Sequence, residues 1–416
     1  MVTRAEIQEA MLYALAVPDP VYATGDPPRV ITYQFESAQP PDLWNSYSGW
    51  TAMTSGEMAA VRSALDLVET LINVTFVEVT GSADPDFNFG KVTLPGATAG
   101  YGGYRYSHNG SAVLAWDSFA VYDNTIDISS GQLSLILHEI GHGLGLKHPF
   151  DAPALPAAYE NNKYTVMSYD PNPDTGKDSD AMMLFDILAL QTRWGENDGH
   201  AAGDDVYDGP RNPTVDVIWD TGGTDTMDAS ARSNPVRLDL RPARFSQFDG
   251  RDDLAIAYGV RIENAVGGSG DDRLVGSNAA NTLQGGAGND RISGKQARDR
   301  LEGGEEVDRL FGEEGRDWLY GGSQRDYLDG GAGNDLLVGG GGRDTFDFAP
   351  GMDRDTVRRF QDDLDILRFT GFGSEADVLA TARQEGSDVV FRLPGGDRLT
   401  VEDVLLADIS DDILAL

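Results

Sequence analysis

Residues 267–347 repeat themselves every nine positions, through nine cycles without a slip. The cycles run from GGSGDDRLV through GGAGNDRIS to GGGGRDTFD. The sixth position is Asp in eight cycles (Asp272, Asp290, Asp299, Asp308, Asp317, Asp326, Asp335 and Asp344) and Asn281 in the other. The eighth is always apolar, from Leu274 to Phe346. A period this strict leaves little choice of fold, because each cycle must add one equivalent unit to a stack. Glycine permits a tight, partly left-handed turn and leaves backbone carbonyls pointing outward. The Asp places a carboxylate beside them, which completes the all-oxygen ligand set that calcium prefers. The apolar residue sits on a short strand and points inward, so that stacked turns enclose a narrow core. A glycine-rich linker would have no reason to keep that apolar position.

The segment resembles the RTX repeat of secreted bacterial proteins, and the resemblance implies a parallel β-roll around calcium ions. In such a roll successive repeats alternate sides, so each ion lies between a repeat and the next but one. The side carrying Asp272, Asp290, Asp308, Asp326 and Asp344 keeps Gly-Gly in every repeat. The side carrying Asp299, Asp317 and Asp335 keeps it once and has Lys295, Arg298 and Arg316 in its loops. Calcium is therefore expected mainly on the first side. On the second, two readings of the basic residues stay open: they replace ions as carboxylate partners, or they are simply solvated.

A second motif carries different chemistry. "HEIGHGLGLKH" (138–148) holds three of the chain's five histidines. His138 and His142 are four apart, so on a helix both imidazoles project from one face. Both can then reach one zinc ion at its usual bond length of ~2.0–2.1 Å. Glu139 lies one step round the helix, beside such an ion, where it can accept a proton from an activated water. Gly145 lets the chain leave the helix in a conformation closed to other residues, and His148 returns as third ligand. Three ligands leave a position open, which is a catalytic arrangement and not a closed structural one. The helix is apolar elsewhere (Leu133, Leu135, Ile136, Leu137, Ile140, Leu144), as a buried active-site helix should be.

The extended HExxHxxGxxH pattern is similar to that of the metzincin metalloproteases, which place a methionine turn beneath the metal. "YTVMSYD" (164–170) follows with Met167 where that turn is expected. Pro149 directly after the third histidine, the MSY triplet and repeats of RTX type in one chain narrow the resemblance to the serralysin branch. That resemblance implies a secreted zinc metalloendopeptidase that hydrolyses protein or peptide substrates. It implies catalytic Zn²⁺ held by His138, His142 and His148, several structural Ca²⁺ ions, and Glu139 as general base. Tyr169 would ligate zinc at rest and swing away to stabilise the oxyanion, although a simply packed tyrosine is the alternative. The ending "DISDDILAL" loosely fits the uncleaved C-terminal signal of type I, ABC-transporter secretion. From the early start of the zinc helix no room is expected for the usual propeptide, and the region before that helix is expected to be shorter than is usual in the branch.

Composition limits the remaining choices. At 416 residues two domains are expected: an α+β metzincin protease domain over 1–195, then an all-β parallel β-roll domain over 196–416. The absence of cysteine excludes disulfides and thiolate metal sites. A formal charge of −36 argues against nucleic acid and anionic membranes as partners, and a monomer is the expected state. The N-terminal segment carries Glu6 and Glu9 and reads as an amphipathic helix, not a signal peptide. Helices are expected at 55–73, capped by Ser55, at about 132–144 and at 180–195. Strands are expected at 74–79, 86–92 and 111–116, the last as the cleft-edge strand that pairs with substrate. A rival reading keeps the chain as an extracellular calcium-binding structural or adhesive protein with an inactive protease domain. Glu139 counts against it, since a scaffold needs no carboxylate beside a complete ligand set.

Overall fold

The computed structural model describes residues 2–13, 28–41, 43, 46–109, 112–211 and 214–416. The chain divides into two compact units, one of residues 1–202 with 211–221, the other of 203–210 with 222–416.

In the first unit the described elements run α1 (Arg4–Met11), β1 (Arg29–Glu36), β2 (Ser48–Thr51), α2 (Ser55–Glu69), β3 (Val74–Glu78), β4 (Phe87–Thr93), β5 (Gly100–Asn109), β6 (Ala112–Asp123), α3 (Leu133–Gly143) and α4 (Leu184–Trp194). The sheet has the order β3-β1-β4-β6-β5, with β2 pairing antiparallel to β4. The pairs from β3 to β6 are parallel, and β5 alone runs antiparallel to β6. α2 begins one residue earlier than expected from its cap. Thr54, not Ser55, is the N-cap: its hydroxyl accepts from Glu57 N at 3.2 Å while the Glu57 carboxylate accepts from Thr54 N at 2.8 Å. α4 starts at Leu184 and not at 180, because the Asp186 carboxylate accepts from Met183 N and closes the helix start there.

The expected edge strand is corrected. Residues 112–116 open β6 and pair with β5 alone, while Ser118–Asp123 of the same strand also pair with β4, and Ser111 falls outside the described residues. The strand at the end of the order is β5. Alternation along a sequence marks a strand, but it does not say which neighbours the strand will have.

Glycine decides how closely α3 lies on this sheet. A Cβ on Gly102 of β5 would fall 2.3 Å from the backbone carbonyl oxygen of Glu139. The helix backbone therefore rests directly on the strand backbone, and no larger residue fits between them.

The second unit holds two largely parallel sheets. One pairs strands at 237–239, 273–275, 291–297, 309–315, 327–333, 345–348, 366–369 and 413–415. The other includes strands at 226–228, 264–266, 282–286, 300–304, 318–323, 336–341, 354–357 and 398–401. Pairing joins each repeat to the next but one, as in Ile292↔Leu310 and Leu301↔Leu319. All nine apolar residues of the eighth position, Leu274 through Phe346, are fully excluded from solvent. Lys295 and Glu313 stand where other repeats have glycine, and both adopt left-handed backbone (φ 91° and 75°). They are paired across the ladder, with Lys295 Nζ 2.8 Å from Glu313 Oε1. Lys295 is thus paired with a glutamate of the next rung.

Leu310→Ala removes one of these core side chains from a column that cannot collapse sideways. It should destabilise the roll by about 2–5 kcal/mol, read from denaturant unfolding in saturating calcium. A loss under about 0.5 kcal/mol would mean that the column is not the core.

Candidate active site

α3 carries His138, Glu139 and His142, all buried. Gly145, at φ 97°, turns the chain after the helix, and a Cβ there would strike the Arg193 guanidinium. The turn returns His148 to the cluster. One nitrogen from each of His138, His142 and His148 lies within 4.8 Å of the other two. His142 Nε2 and His148 Nε2 are 3.1 Å apart. The outward nitrogens are occupied: Nδ1 of His138 lies 2.9 Å from Val166 O, and Nδ1 of His142 lies 3.0 Å from Leu146 O. A carbonyl can only accept, so each Nδ1 carries the proton and each Nε2 turns a lone pair inward. His148 Nδ1 faces Asp151 Oδ2 at 3.4 Å.

Burial reinforces this donor set. It pushes His138 down to about 4 and His142 down to about 3, and it lowers His148 against the pull of Asp151. All three rings are neutral at neutral pH, the form in which imidazole binds metal. These residues fit a zinc ion: three converging neutral nitrogens, with ring orientation fixed from behind.

Tyr169 is 67% exposed, and its hydroxyl lies 2.8 Å from His148 Nε2, at the mouth of the cluster. Met167 is fully buried, with its sulfur against Gly141, the residue before His142. Glu139 lies beneath Gly100 and Gly102 of β5 and is pushed up to about 8 by burial, opposed by a hydrogen bond from the Gly102 backbone. His138, Glu139 and Tyr169 all open onto one cleft of about 1090 Å³.

Two features of this site escaped the sequence. Gly100 and Gly102 set the distance between β5 and Glu139, yet a single glycine pair in a strand carries no motif. Asp186 is fully enclosed in α4 and holds the methionine turn from behind. It accepts from Thr165 Oγ1 at 2.5 Å, Val166 N at 2.7 Å and Met183 N at 2.9 Å. Val166 is the residue whose carbonyl fixes His138. The signal that could have found it was a lone Asp inside the apolar run "LFDILAL".

In the roll, the aspartates of the sixth position form two ladders. Each backbone N–H donates to the Oδ1 of the aspartate one rung on, as in Asp290 N to Asp308 at 2.8 Å and Asp299 N to Asp317 at 2.8 Å. Asp355 and Asp365 extend the ladders beyond the repeats. They were missed because the spacing there lengthens from 18 to 20 and 21 residues. Among the described residues, the Oδ2 atoms of Asp290, Asp308, Asp326 and Asp344 on one side, and of Asp299, Asp317 and Asp335 on the other, are buried without a hydrogen-bond donor. Burial raises these carboxyls, Asp290 and Asp326 to about 8. Rows of buried, unmatched carboxylate oxygens fit calcium ions. Such oxygens occur on both sides of the roll, and among the described residues none of them has a guanidinium as hydrogen-bond partner. Asp272 differs, because its oxygens accept from Val236 N and Gly268 N.

One unit thus carries a three-histidine cluster that could hold a metal ion, and the other a parallel β-roll laddered with aspartates. The chain is similar in sequence to the serralysins. Residues 204–319 match the family model of the peptidase M10 serralysin C terminal, and 302–353 match that of the RTX calcium-binding nonapeptide repeat in three overlapping placements. A serralysin of Photorhabdus laumondii is 35% identical over 289 residues, which cover 61% of this chain and 60% of that protein. A serralysin of Proteus mirabilis is 32% identical, covering 63% and 62%, and the metallopeptidase AprA of Pseudomonas marginalis is 30% identical, covering 61% of each. The chain thus matches about 60% of the length of these curated relatives.

Asp186→Ala should leave three donors without an acceptor and cost the first unit about 3 kcal/mol in thermal unfolding. By releasing Val166 it should also weaken zinc affinity by roughly 10–100-fold. Unchanged zinc affinity in a folded variant would show that the turn does not position His138.

Proposed function

We propose that the chain is a secreted zinc metalloendopeptidase, with a metzincin catalytic domain over residues 1–195 and a calcium-stabilised β-roll domain over 196–416. The observation that carries this reading is the convergence of three neutral imidazole nitrogens beside a buried carboxylate, with His138, Glu139 and Tyr169 opening onto one cleft. His138, His142 and His148 would hold zinc, with Tyr169 as a further ligand at rest and Met167 packed beneath. When bound, zinc supplies Lewis acidity, lowering the pKa of a coordinated water and polarising the scissile carbonyl.

The chain's own groups do the rest. An extended peptide pairs with the outer edge of β5, main chain to main chain, which lays its scissile bond across Glu139. Glu139 takes the proton of the attacking water and returns it to the leaving amine. A carboxyl that titrates near neutrality is suited to both transfers. The Tyr169 hydroxyl leaves His148 and donates a hydrogen bond to the developing oxyanion, a movement that its exposure permits. In the roll, Asp290, Asp308, Asp326 and Asp344, with Asp299, Asp317 and Asp335, would hold calcium through their unmatched oxygens, and Asp272 would close the first ladder. Protein or peptide substrates, export by a type I ABC apparatus, an extracellular location and a monomeric state complete the reading.

Casein hydrolysis by purified protein in calcium tests it. Glu139→Gln should lower the rate by about 10²–10⁴-fold with zinc content unchanged, and a zinc chelator should abolish activity. An inactive wild type that is folded and zinc-loaded would overturn the proposal.

Calcium removal should be equally plain. A calcium-specific chelator should abolish the β signal of the roll in far-UV circular dichroism, and added calcium should restore it. Asp308→Asn should shift the calcium midpoint upward, and a roll that stays folded without calcium would refute the ion ladder.

A further inference from the structure

The second sheet of the roll has an outer face unlike the rest of this acidic chain. It lines a groove of about 570 Å³, with walls formed by loop residues of the fifth repeat position and strand residues of the seventh. Along the loop row stand Arg298, Arg316 and, in the equivalent place past the last repeats, Arg354. All three are exposed, and none is in an ion pair among the described residues. Along the strand row Arg300, Trp318 and Leu336 stand in direct register. The Arg300 guanidinium lies 4.0 Å over the Trp318 ring and holds it upright, while 44% of Trp318 remains exposed. Tyr320, two residues on along the same strand, is 37% exposed on the same face.

The acidic neighbours of this groove are already engaged. Glu302 pairs with Arg300, Glu402 pairs with Arg358, and Glu263 pairs with Arg261 and accepts from Asp225 N. The Asp299, Asp317 and Asp335 carboxylates point into the buried ladder described above. What remains facing outward is a line of free guanidinium groups beside an exposed indole and phenol, on a flat sheet whose rungs repeat every ~4.8 Å.

We propose that this face binds a carboxylated polysaccharide, a polyuronate segment lying along the rungs. Each unit of such a polymer offers one carboxylate to a guanidinium fork and one apolar ring face to an aromatic side chain. The five rungs from Thr282 to Thr356 span about 19 Å, enough for a few pyranose rings. An acidic peptide has the charges without the flat apolar faces. A long nucleic acid has both, but it must approach a chain of formal charge −36, whereas a short uronate segment meets only the local field within a Debye length of ~8 Å. The proposal rests on the calcium-loaded roll and is independent of the protease reading.

Isothermal titration calorimetry in saturating calcium, with hexagalacturonate as probe, tests it. The wild type should bind, and maltohexaose, which lacks carboxylates, should give no heat. Arg298→Gln with Arg316→Gln should weaken binding by roughly tenfold or more, and Trp318→Ala should weaken it similarly. Far-UV circular dichroism against calcium for the same variants should match the wild type, which separates loss of the ligand site from loss of the roll. No binding by a calcium-folded wild type would overturn the proposal, as would binding unchanged in the variants. Tighter binding of an oligothymidylate of equal charge would reassign the face to nucleic acid, and self-association lost in the same variants would reassign it to a second copy of the chain.

Discussion

Seven buried carboxylate oxygens without donors constrain the second unit more than any packing contact does. Each sits in a rung whose backbone is otherwise satisfied, and each lies over the first glycine of its own repeat, where a Cβ would collide with the carboxylate. The geometry that stacks the rungs is also the geometry that lines up like charges. Burying one such group without compensation is expensive, and a row of them multiplies the cost. In the proposed reading divalent cations complete the roll, whose apolar column has one side chain per rung. The outer faces are released from that duty, which is why one of them can carry arginines and aromatic rings with no structural task.

In the first unit the corresponding constraint is the close approach of α3 to β5. Glycines at 100 and 102 let the helix backbone touch the strand, and this buries Glu139 while leaving its carboxyl at the floor of a cleft. The imidazoles are then oriented from outside the helix, by Val166 O and Leu146 O. Asp186 fixes the turn that supplies Val166, so the metal-facing geometry depends on a carboxylate that never meets the metal. Burial keeps the histidines neutral and lifts Glu139 toward neutrality with the same low-polarity surroundings. One environment thereby suits two different tasks, binding a cation and exchanging a proton.

Much of this was legible because it is local. Ligands four apart on a helix, a glycine that only a left-handed turn requires, and a nine-residue period all follow from backbone geometry that neighbours cannot change. What was not legible depended on partners distant in sequence. Residues 112–116 read as a strand, but that they pair with β5, and that only the later part of the same strand pairs with β4, comes from segments elsewhere in the chain. Ser55 looked like a cap, and Thr54 prevailed because Glu57 was there to complete the reciprocal pair. Lys295 looked available to a calcium carboxylate until the ladder placed Glu313 beside it, 18 residues on.

The sequence by itself determined the repeat, the inward column from Leu274 to Phe346, and the set of nitrogen and oxygen donors, because period and spacing act through the chain's own covalent geometry. Tertiary structure alone decided which strand forms the free edge, how deeply Glu139 is buried, and that Asp186 stands behind the methionine turn. It also decided that Oδ2 atoms on both aspartate ladders lack a donor among the described residues, and that arginines without an ion pair there gather beside Trp318 on one outer face. Those properties belong to surfaces brought together from separated segments, and their energies come from burial and approach distance, which no single stretch of sequence contains.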